Sequence, residues 1–114
     1  KMYKLFHNNR CSKSRLCLKI LNDHKVKFEV IEYLKINLTK NMVKEIIFNL
    51  LNPIEEVIRK NEAPFLASNI SLNNKIDIIS LIVKNPICLE RPIFYNENNF
   101  IICRPPEIVL KYIK

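Results

Sequence analysis

A chain of 114 residues with 48% hydrophobic residues is long enough to bury one hydrophobic core without disulfides or a structural metal. It contains no apolar run long enough to span a bilayer and no signal-peptide pattern, so we expect a cytoplasmic protein with a single domain over residues 1–114. The formal charge of +8 comes from scattered lysines without interleaved aromatic residues, which argues against nucleic acid as a partner and against a membrane surface.

The cysteines predict thiol chemistry rather than disulfide bonding or metal binding. In a reducing compartment they are expected to be free, catalytic or buried. The sequence contains no C-x-x-C pair of the kind that binds zinc, so no metal is predicted. The four cysteines are Cys11, Cys17, Cys88 and Cys103.

The chain opens with a pattern typical of a βαβ unit. The apolar run at residues 2–6 predicts a strand, and apolar residues at helical spacing after Cys11 predict a helix with Ser12 as its N-cap. Alternating apolar residues over 26–33 predict a second strand. Since a strand, a helix and a strand in this order favour a right-handed parallel crossover, the opening is α/β.

Cys11, at the first strand-to-helix junction, is the candidate nucleophile. A helix N-terminus stabilises a thiolate or a bound oxyanion, and residues 1–22 contain six basic residues, Lys1 among them, and no acidic one. We therefore expect the pKa of Cys11 to lie below that of a free thiol. The alternative, a buried apolar cysteine, fits Cys17 better, because Cys17 lies on the apolar stripe of the helix whereas Cys11 has charged and polar neighbours.

The middle of the chain predicts a helical insertion over about residues 39–85. Thr39 is placed to cap its first helix, and Asn52, followed by proline, to cap the second. Ser71 is placed to cap a third helix, which ends before Pro86.

The last third of the chain predicts a β-hairpin followed by a helix. Apolar runs at 93–95 and 100–103 flank an Asn-rich turn, and consecutive prolines at 105–106 begin the helix. The complete order, β-α-β, helices, β-β-α, is that of a thioredoxin-like α/β fold with a mixed sheet. In that fold a proline before the third strand, commonly with a cis peptide bond, lies opposite the reactive cysteine, and Pro92 occupies that place.

Four blocks of sequence carry a resemblance to one family. They cover residues 7–15, 58–62, 85–93 and 104–107, and the first is similar to a loop usually written H-N-P-R-C-S-K-S-R. In this order, and over nearly the whole chain, they resemble the glutaredoxin-like arsenate reductases of the ArsC type.

The resemblance implies an oxidoreductase that reduces arsenate to arsenite. By that match Cys11 is the nucleophile that forms a covalent adduct with arsenate, and Arg59, Arg91 and Arg104 bind the oxyanion and the adduct. Glutathione is then the reducing co-substrate and glutaredoxin the partner protein, and no bound cofactor is implied.

Arginine suits such a site, because a guanidinium is always charged and donates two parallel hydrogen bonds to an oxyanion. Taken singly, each of the three arginines could equally be a solvated surface cation. Arg91 and Arg104 are each followed by proline, which fixes the backbone direction, whereas Arg59 has no such local support.

Other residues of the first loop are candidates for binding the anion or for lowering the pKa of Cys11. They are His7, Ser14 and Arg15, and a structural role at a strand end is also open for His7. Two positions depart from the family pattern. Asn9 replaces the usual proline and is expected to loosen the loop, and Cys103 replaces a glycine, so that it lies either near the anion site or buried at a strand end.

Two alternative functions remain open. One is a glutathione-dependent oxidoreductase with a different substrate, because three arginines also suit other oxyanions. The other is a regulator resembling the Spx proteins, which bind RNA polymerase. Such redox sensors typically use C-x-x-C, and Ser14 takes the position three residues after Cys11. Without a nearby partner thiol, an enzyme of this kind needs an external thiol for turnover.

Overall fold

The computed structural model describes residues 2–114 and contains a four-stranded sheet in the order β2-β1-β3-β4. Lys1, one of the basic residues close to Cys11 in the sequence, lies outside the described residues. The strands are β1 (Lys4–Phe6), β2 (Glu29–Ile31), β3 (Ile93–Tyr95) and β4 (Phe100–Ile102).

The pairing of the strands makes the sheet mixed. Leu5 in β1 lies opposite Val30 of the parallel strand β2 and opposite Phe94 of the antiparallel strand β3. Strands β3 and β4 form an antiparallel hairpin. The predicted α/β fold with a mixed sheet is confirmed, but the final predicted helix is a 3-10 helix, Pro106–Lys111.

Helices fill the crossover and the insertion. None of the helices within residues 2–114 combines the length and the apolar character needed to cross a membrane. The α-helices are α1 (Ser12–Asp23), α2 (Lys40–Phe48), α3 (Ala63–Leu66) and α4 (Lys75–Lys84), and 3-10 turns cover Ile54–Val57, Pro86–Cys88 and Pro106–Lys111. Three of these α-helices lie between β2 and β3, where the sequence predicts the insertion.

The sheet separates two hydrophobic clusters, because successive side chains of a strand point to opposite faces. Leu5 and Phe94 belong to a cluster with Cys17 of α1. Their neighbours Phe6 and Ile93 belong to the other cluster, which includes the buried side chains of α2 and α4. The central strands are thus covered on both faces, and the loops at their ends are held in place.

Only some of the helix N-caps predicted for the insertion are present in the structure. The predicted cap of α2 is confirmed, since the Thr39 hydroxyl accepts a hydrogen bond from the Met42 N–H at 3.1 Å. The prediction that Ser71 caps α4 is wrong, because the Asn74 side chain accepts from the Asp77 N–H at 3.1 Å. Ser71 and Asn74 are both short polar residues that favour the N-cap position, so the sequence alone does not show which of the two caps the helix.

The predicted helix after Asn52 is a single 3-10 turn, Ile54–Val57, with Pro53 at its N-cap position. The Asn52 side chain instead accepts a hydrogen bond from the Ile102 N–H at 2.8 Å. Asn52 therefore ties the insertion to the edge strand β4, close to Arg104 in the sequence.

Candidate active site

Cys11 lies in the turn between β1 and α1 and is itself the N-cap residue of the helix. The prediction that Ser12 is the N-cap is therefore wrong, because Ser12 already has helical geometry and Cys11 is extended, with φ −98° and ψ 121°. This places the thiol in front of the free N–H groups of the first helical turn. Cys11 is 8% exposed, whereas the other three cysteines are 0% exposed.

The surroundings of Cys11 favour the thiolate. Burial opposes ionisation, but hydrogen bonds from the Arg91 side chain and from the Ser14 and Lys13 backbone, together with the charge of Arg91, outweigh it and lower the pKa of Cys11. This direction agrees with the sequence prediction, although its main source is Arg91 from a distant segment rather than the lysines near Cys11.

His7 and Ser14 form a buried hydrogen-bonded pair behind the loop. The Ser14 oxygen lies 2.6 Å from His7 Nδ1 and accepts a hydrogen bond from the Asn8 N–H at 3.1 Å. His7 Nε2 lies 3.2 Å from Asn9 Oδ1. The Asn9 side-chain oxygen can only accept, so His7 Nε2 donates in that contact. The His7–Ser14 pair holds the backbone of the loop in place through Asn8.

Asn9 makes two contacts within the loop. Its side-chain oxygen lies 3.2 Å from His7 Nε2, and its backbone carbonyl accepts a hydrogen bond from Arg15 Nη1 at 2.9 Å. Arg15 is exposed on α1 and supports the loop by this bond. The side-chain contact with His7 is one that a proline at this position could not make, and the expectation that Asn9 loosens the loop stays a prediction.

Ser14→Ala should lower the free energy of unfolding by about 1–3 kcal/mol, because it leaves His7 Nδ1 and the Asn8 N–H without their buried partner. Chemical denaturation measures the effect. Ser80→Ala, on the exposed face of α4, is the matched control and should change stability by less than about 0.5 kcal/mol. An equal effect of both substitutions would show that the pair does not hold the loop.

Arg91 is the cation closest to the thiol. It immediately precedes Pro92, and the peptide bond between them is cis, as predicted. Within the part of the chain that the structure describes, its Nε and Nη1 atoms are buried and have no hydrogen-bond acceptor. A buried guanidinium nitrogen without an acceptor is costly, so these two nitrogen atoms make Arg91 the candidate for binding an anion beside Cys11.

Arg59 and Arg104 converge on one carboxylate. Glu90 Oε1 lies 3.9 Å from Arg59 Nε and 3.6 Å from Arg104 Nη1. Arg104 Nη1 also donates to the Arg91 carbonyl at 2.8 Å, and Arg59 Nη1 pairs with Glu62 at 2.6 Å. The three predicted arginines are thus brought together from separate blocks. Carboxylates hold Arg59 and Arg104, and the Arg91 carbonyl also holds Arg104, whereas Nε and Nη1 of Arg91 have no such partner within residues 2–114.

Tyr33 is buried near Arg91 and Arg59. The sequence does not indicate it as a site residue. It is 0% exposed, and its hydroxyl reaches the Leu89 carbonyl only at 3.5 Å. Burial raises the pKa of Tyr33 to about 12, while the nearby charges of Arg91 and Arg59 lower it. The phenol therefore stays neutral. In the sequence it ends a predicted strand, and nothing in that pattern signals a place under the arginines.

The remaining cysteines are remote from solvent. Cys17, Cys88 and Cys103 are 0% exposed. A hydrogen bond with the Cys17 thiol and burial raise the pKa of Cys103, and burial raises the pKa of Cys88. Of the two places open for Cys103, the structure shows the buried one, in the core cluster shared with α1.

In the native protein, an alkylating reagent such as iodoacetamide should modify Cys11 at least about tenfold faster than the other cysteines, because Cys11 alone combines exposure with a lowered pKa. Peptide mapping by mass spectrometry measures the four rates. Denatured protein, in which all four thiols should react alike, is the control. Comparable labelling of Cys88 in the native state would contradict this description.

The arrangement is suited to nucleophilic attack by sulfur on an anion. The thiolate is stabilised by a helix N-terminus and by Arg91, whose unused N–H groups can bind a tetrahedral oxyanion while the sulfur attacks it. Arg59 and Arg104, which contact Glu90, add positive charge next to Arg91.

Comparison with known proteins gives consistent matches. The ArsC family matches residues 6–112. The uncharacterized protein YfgD of Escherichia coli K12 is 33% identical over 116 residues, which cover 99% of this chain and 98% of that protein. An arsenate reductase of Neisseria meningitidis is 32% identical over 108 residues, which cover 91% of this chain and 92% of that enzyme.

Among solved structures, an arsenate reductase from Vibrio cholerae superimposes with a TM-score of 0.85 and 26% sequence identity. The match covers 98% of each chain. The similarity therefore extends over both the sheet and the helical insertion.

Proposed function

The chain belongs to the ArsC family, and from that premise we propose that it is a thiol oxidoreductase that reduces arsenate to arsenite. The observation that carries the proposal is the Arg91 guanidinium beside the Cys11 thiol, with two buried nitrogen atoms that lack an acceptor within residues 2–114. Arsenate reductases among its relatives support the choice of oxyanion.

In the first step the Cys11 thiolate attacks the arsenic atom of dihydrogen arsenate. A sulfur–arsenic bond forms, and one oxygen leaves as hydroxide and is protonated to water. The adduct remains an anion, so the site must bind negative charge both before and after the attack. In this proposal Arg91 binds the adduct directly. Arg59 and Arg104, which lie next to Arg91, stabilise the negative charge of the adduct.

Arginine is better suited to this role than lysine, because its planar guanidinium can donate two parallel hydrogen bonds to two oxygens of a tetrahedral anion. The Glu90 carboxylate occupies the space between Arg59 and Arg104 and keeps both side chains ordered. A preorganised site of this kind stabilises the adduct without rearrangement during the reaction.

Reduction of the arsenic takes two electrons. Dihydrogen arsenate, one proton and two thiols give arsenous acid, one disulfide and one water. The other cysteines of the chain are 0% exposed, so both thiols come from outside. We assign these roles to glutathione and to glutaredoxin. Glutathione attacks the arsenic atom of the adduct, and a second oxygen leaves as water. Glutaredoxin then attacks the glutathione sulfur, so that the bond between this sulfur and arsenic breaks, its electron pair reduces the arsenic, and glutathione leaves as a mixed disulfide with glutaredoxin. Water finally releases arsenous acid from the Cys11 sulfur, which leaves Cys11 reduced.

The direct test is formation of arsenite from arsenate by the purified protein with glutathione and glutaredoxin. We expect arsenite well above the amount formed by the thiols alone, and inhibition by excess phosphate, which has the same tetrahedral shape. Omission of glutaredoxin is the control for the second thiol. Arsenite at the thiol-only background would contradict arsenate as the substrate and would favour another oxyanion.

A further inference from the structure

A cavity of about 440 Å³ lies beside the arginine group and shares Arg59, Glu90 and Arg104 with it. It is within the size range of small-molecule sites. The charged and polar side chains that line it are Glu56, Arg59, Lys60, Asn61, Glu90 and Arg104.

The cavity adjoins the reacting sulfur through two arginines. Arg104 lines the cavity and donates to the Arg91 carbonyl at 2.8 Å, and the Arg91 side chain contacts Cys11. Arg104 and Arg91 thus connect the cavity to Cys11, although neither Cys11 nor Arg91 lines it.

Turnover needs such a molecule to carry a thiol, and this step rests on the proposed function. Cys17, Cys88 and Cys103 are 0% exposed and cannot reach an adduct on Cys11 without unfolding. The first external thiol must approach arsenic while the three arginines still hold the adduct. The cavity beside Arg59 and Arg104 is a place from which it can do so.

The cavity carries both signs of charge. Glu56 and Lys60 line it, and neither takes part in an ion pair within residues 2–114. Glu90 adds a second carboxylate, next to Arg59. Carboxylates would repel a simple polyanion, whereas an ammonium and a carboxylate on the same carbon would each find a partner of opposite charge.

We infer that this cavity binds the α-amino-acid end of the thiol co-substrate, with its ammonium at Glu56 and Glu90 and its carboxylate at Lys60 and Arg59. A γ-glutamyl thiol has this chemistry: its α-amino-acid end lies several bonds from the sulfur, as a cavity set to one side of Cys11 requires. The cavity selects the thiol, while Arg91 selects the oxyanion.

The kinetic test compares a charged with an uncharged thiol. Glu56→Gln and Lys60→Gln should each raise the KM for glutathione by roughly three- to tenfold, because each loses one charge-assisted contact at a partly exposed site. The KM for arsenate and the rate with 2-mercaptoethanol should stay unchanged. Lys84→Gln, on α4, is the matched control and should not alter the KM for glutathione.

A binding test separates this inference from the proposed function. S-methylglutathione cannot react, and in a nuclear magnetic resonance titration it should shift the amide signals of Lys60, Asn61 and Glu90. These shifts should weaken in Glu56→Gln, whether or not the protein reduces arsenate. Shifts confined to the loop at Asn9 and Arg10, no shifts at all, or equal kinetic losses with both thiols would overturn the inference.

Discussion

Cys11→Ser should reduce arsenite formation to the thiol-only background, a loss of at least roughly a thousandfold. A serine hydroxyl stays protonated at neutral pH even in front of the α1 N-terminus, and oxygen cannot take the place of sulfur in the exchange with thiols. Arsenite formation with glutathione and glutaredoxin measures the loss.

Cys17→Ala is the matched control for this substitution. Cys17 lies in the same helix but faces the core next to Cys103, so its removal should cost stability and leave turnover of the folded protein intact. Thermal unfolding of both variants establishes that they are folded. Arsenite formation by folded Cys11→Ser above the background would show that another group is the nucleophile.

Arg91→Lys should lower kcat/KM for arsenate by roughly a hundred- to a thousandfold, although it keeps the positive charge. Lysine cannot offer two parallel donors, and its ammonium is harder to keep charged at a buried position. Loss of the Arg91 hydrogen bond should also raise the pKa of Cys11 toward that of a free thiol. Steady-state kinetics and pH-dependent alkylation measure the two effects.

Lys84→Arg is the control for Arg91→Lys, because it exchanges the same two residue types at an exposed position of α4. It should leave kcat/KM for arsenate and the pKa of Cys11 unchanged. If Arg91→Lys had the kinetics and the thiol titration of the unchanged protein, the two unpaired guanidinium nitrogens would not bind the substrate.

The central fold follows from the sequence because its elements have strong local patterns. The alternation of Leu5 with Phe6, and of Ile93 with Phe94, reflects two covered faces of the sheet. The second strand is the exception: residues 26–33 alternate, but only Glu29–Ile31 form the strand. It lies at the sheet edge and pairs only with the short strand β1, which limits its length.

The candidate site is predictable from the sequence only where a residue and its neighbours carry the signal. The helix N-terminus behind Cys11 and the proline after Arg91 are local features. The acceptor shared by Arg59 and Arg104 is Glu90, and this arrangement depends on loops that the fold brings together. Long-range electrostatic contacts of this kind leave no periodic pattern in a single sequence.

A catalytic Cys11 must ionise more readily than a free thiol and must respond to arsenate. Alkylation of Cys11, followed by mass spectrometry from acid to alkaline pH, measures both in one experiment. We expect a midpoint below the value of about 8.5 for a free thiol, and protection of Cys11 by arsenate. A midpoint near the free-thiol value that arsenate does not affect would contradict a catalytic thiolate at this site.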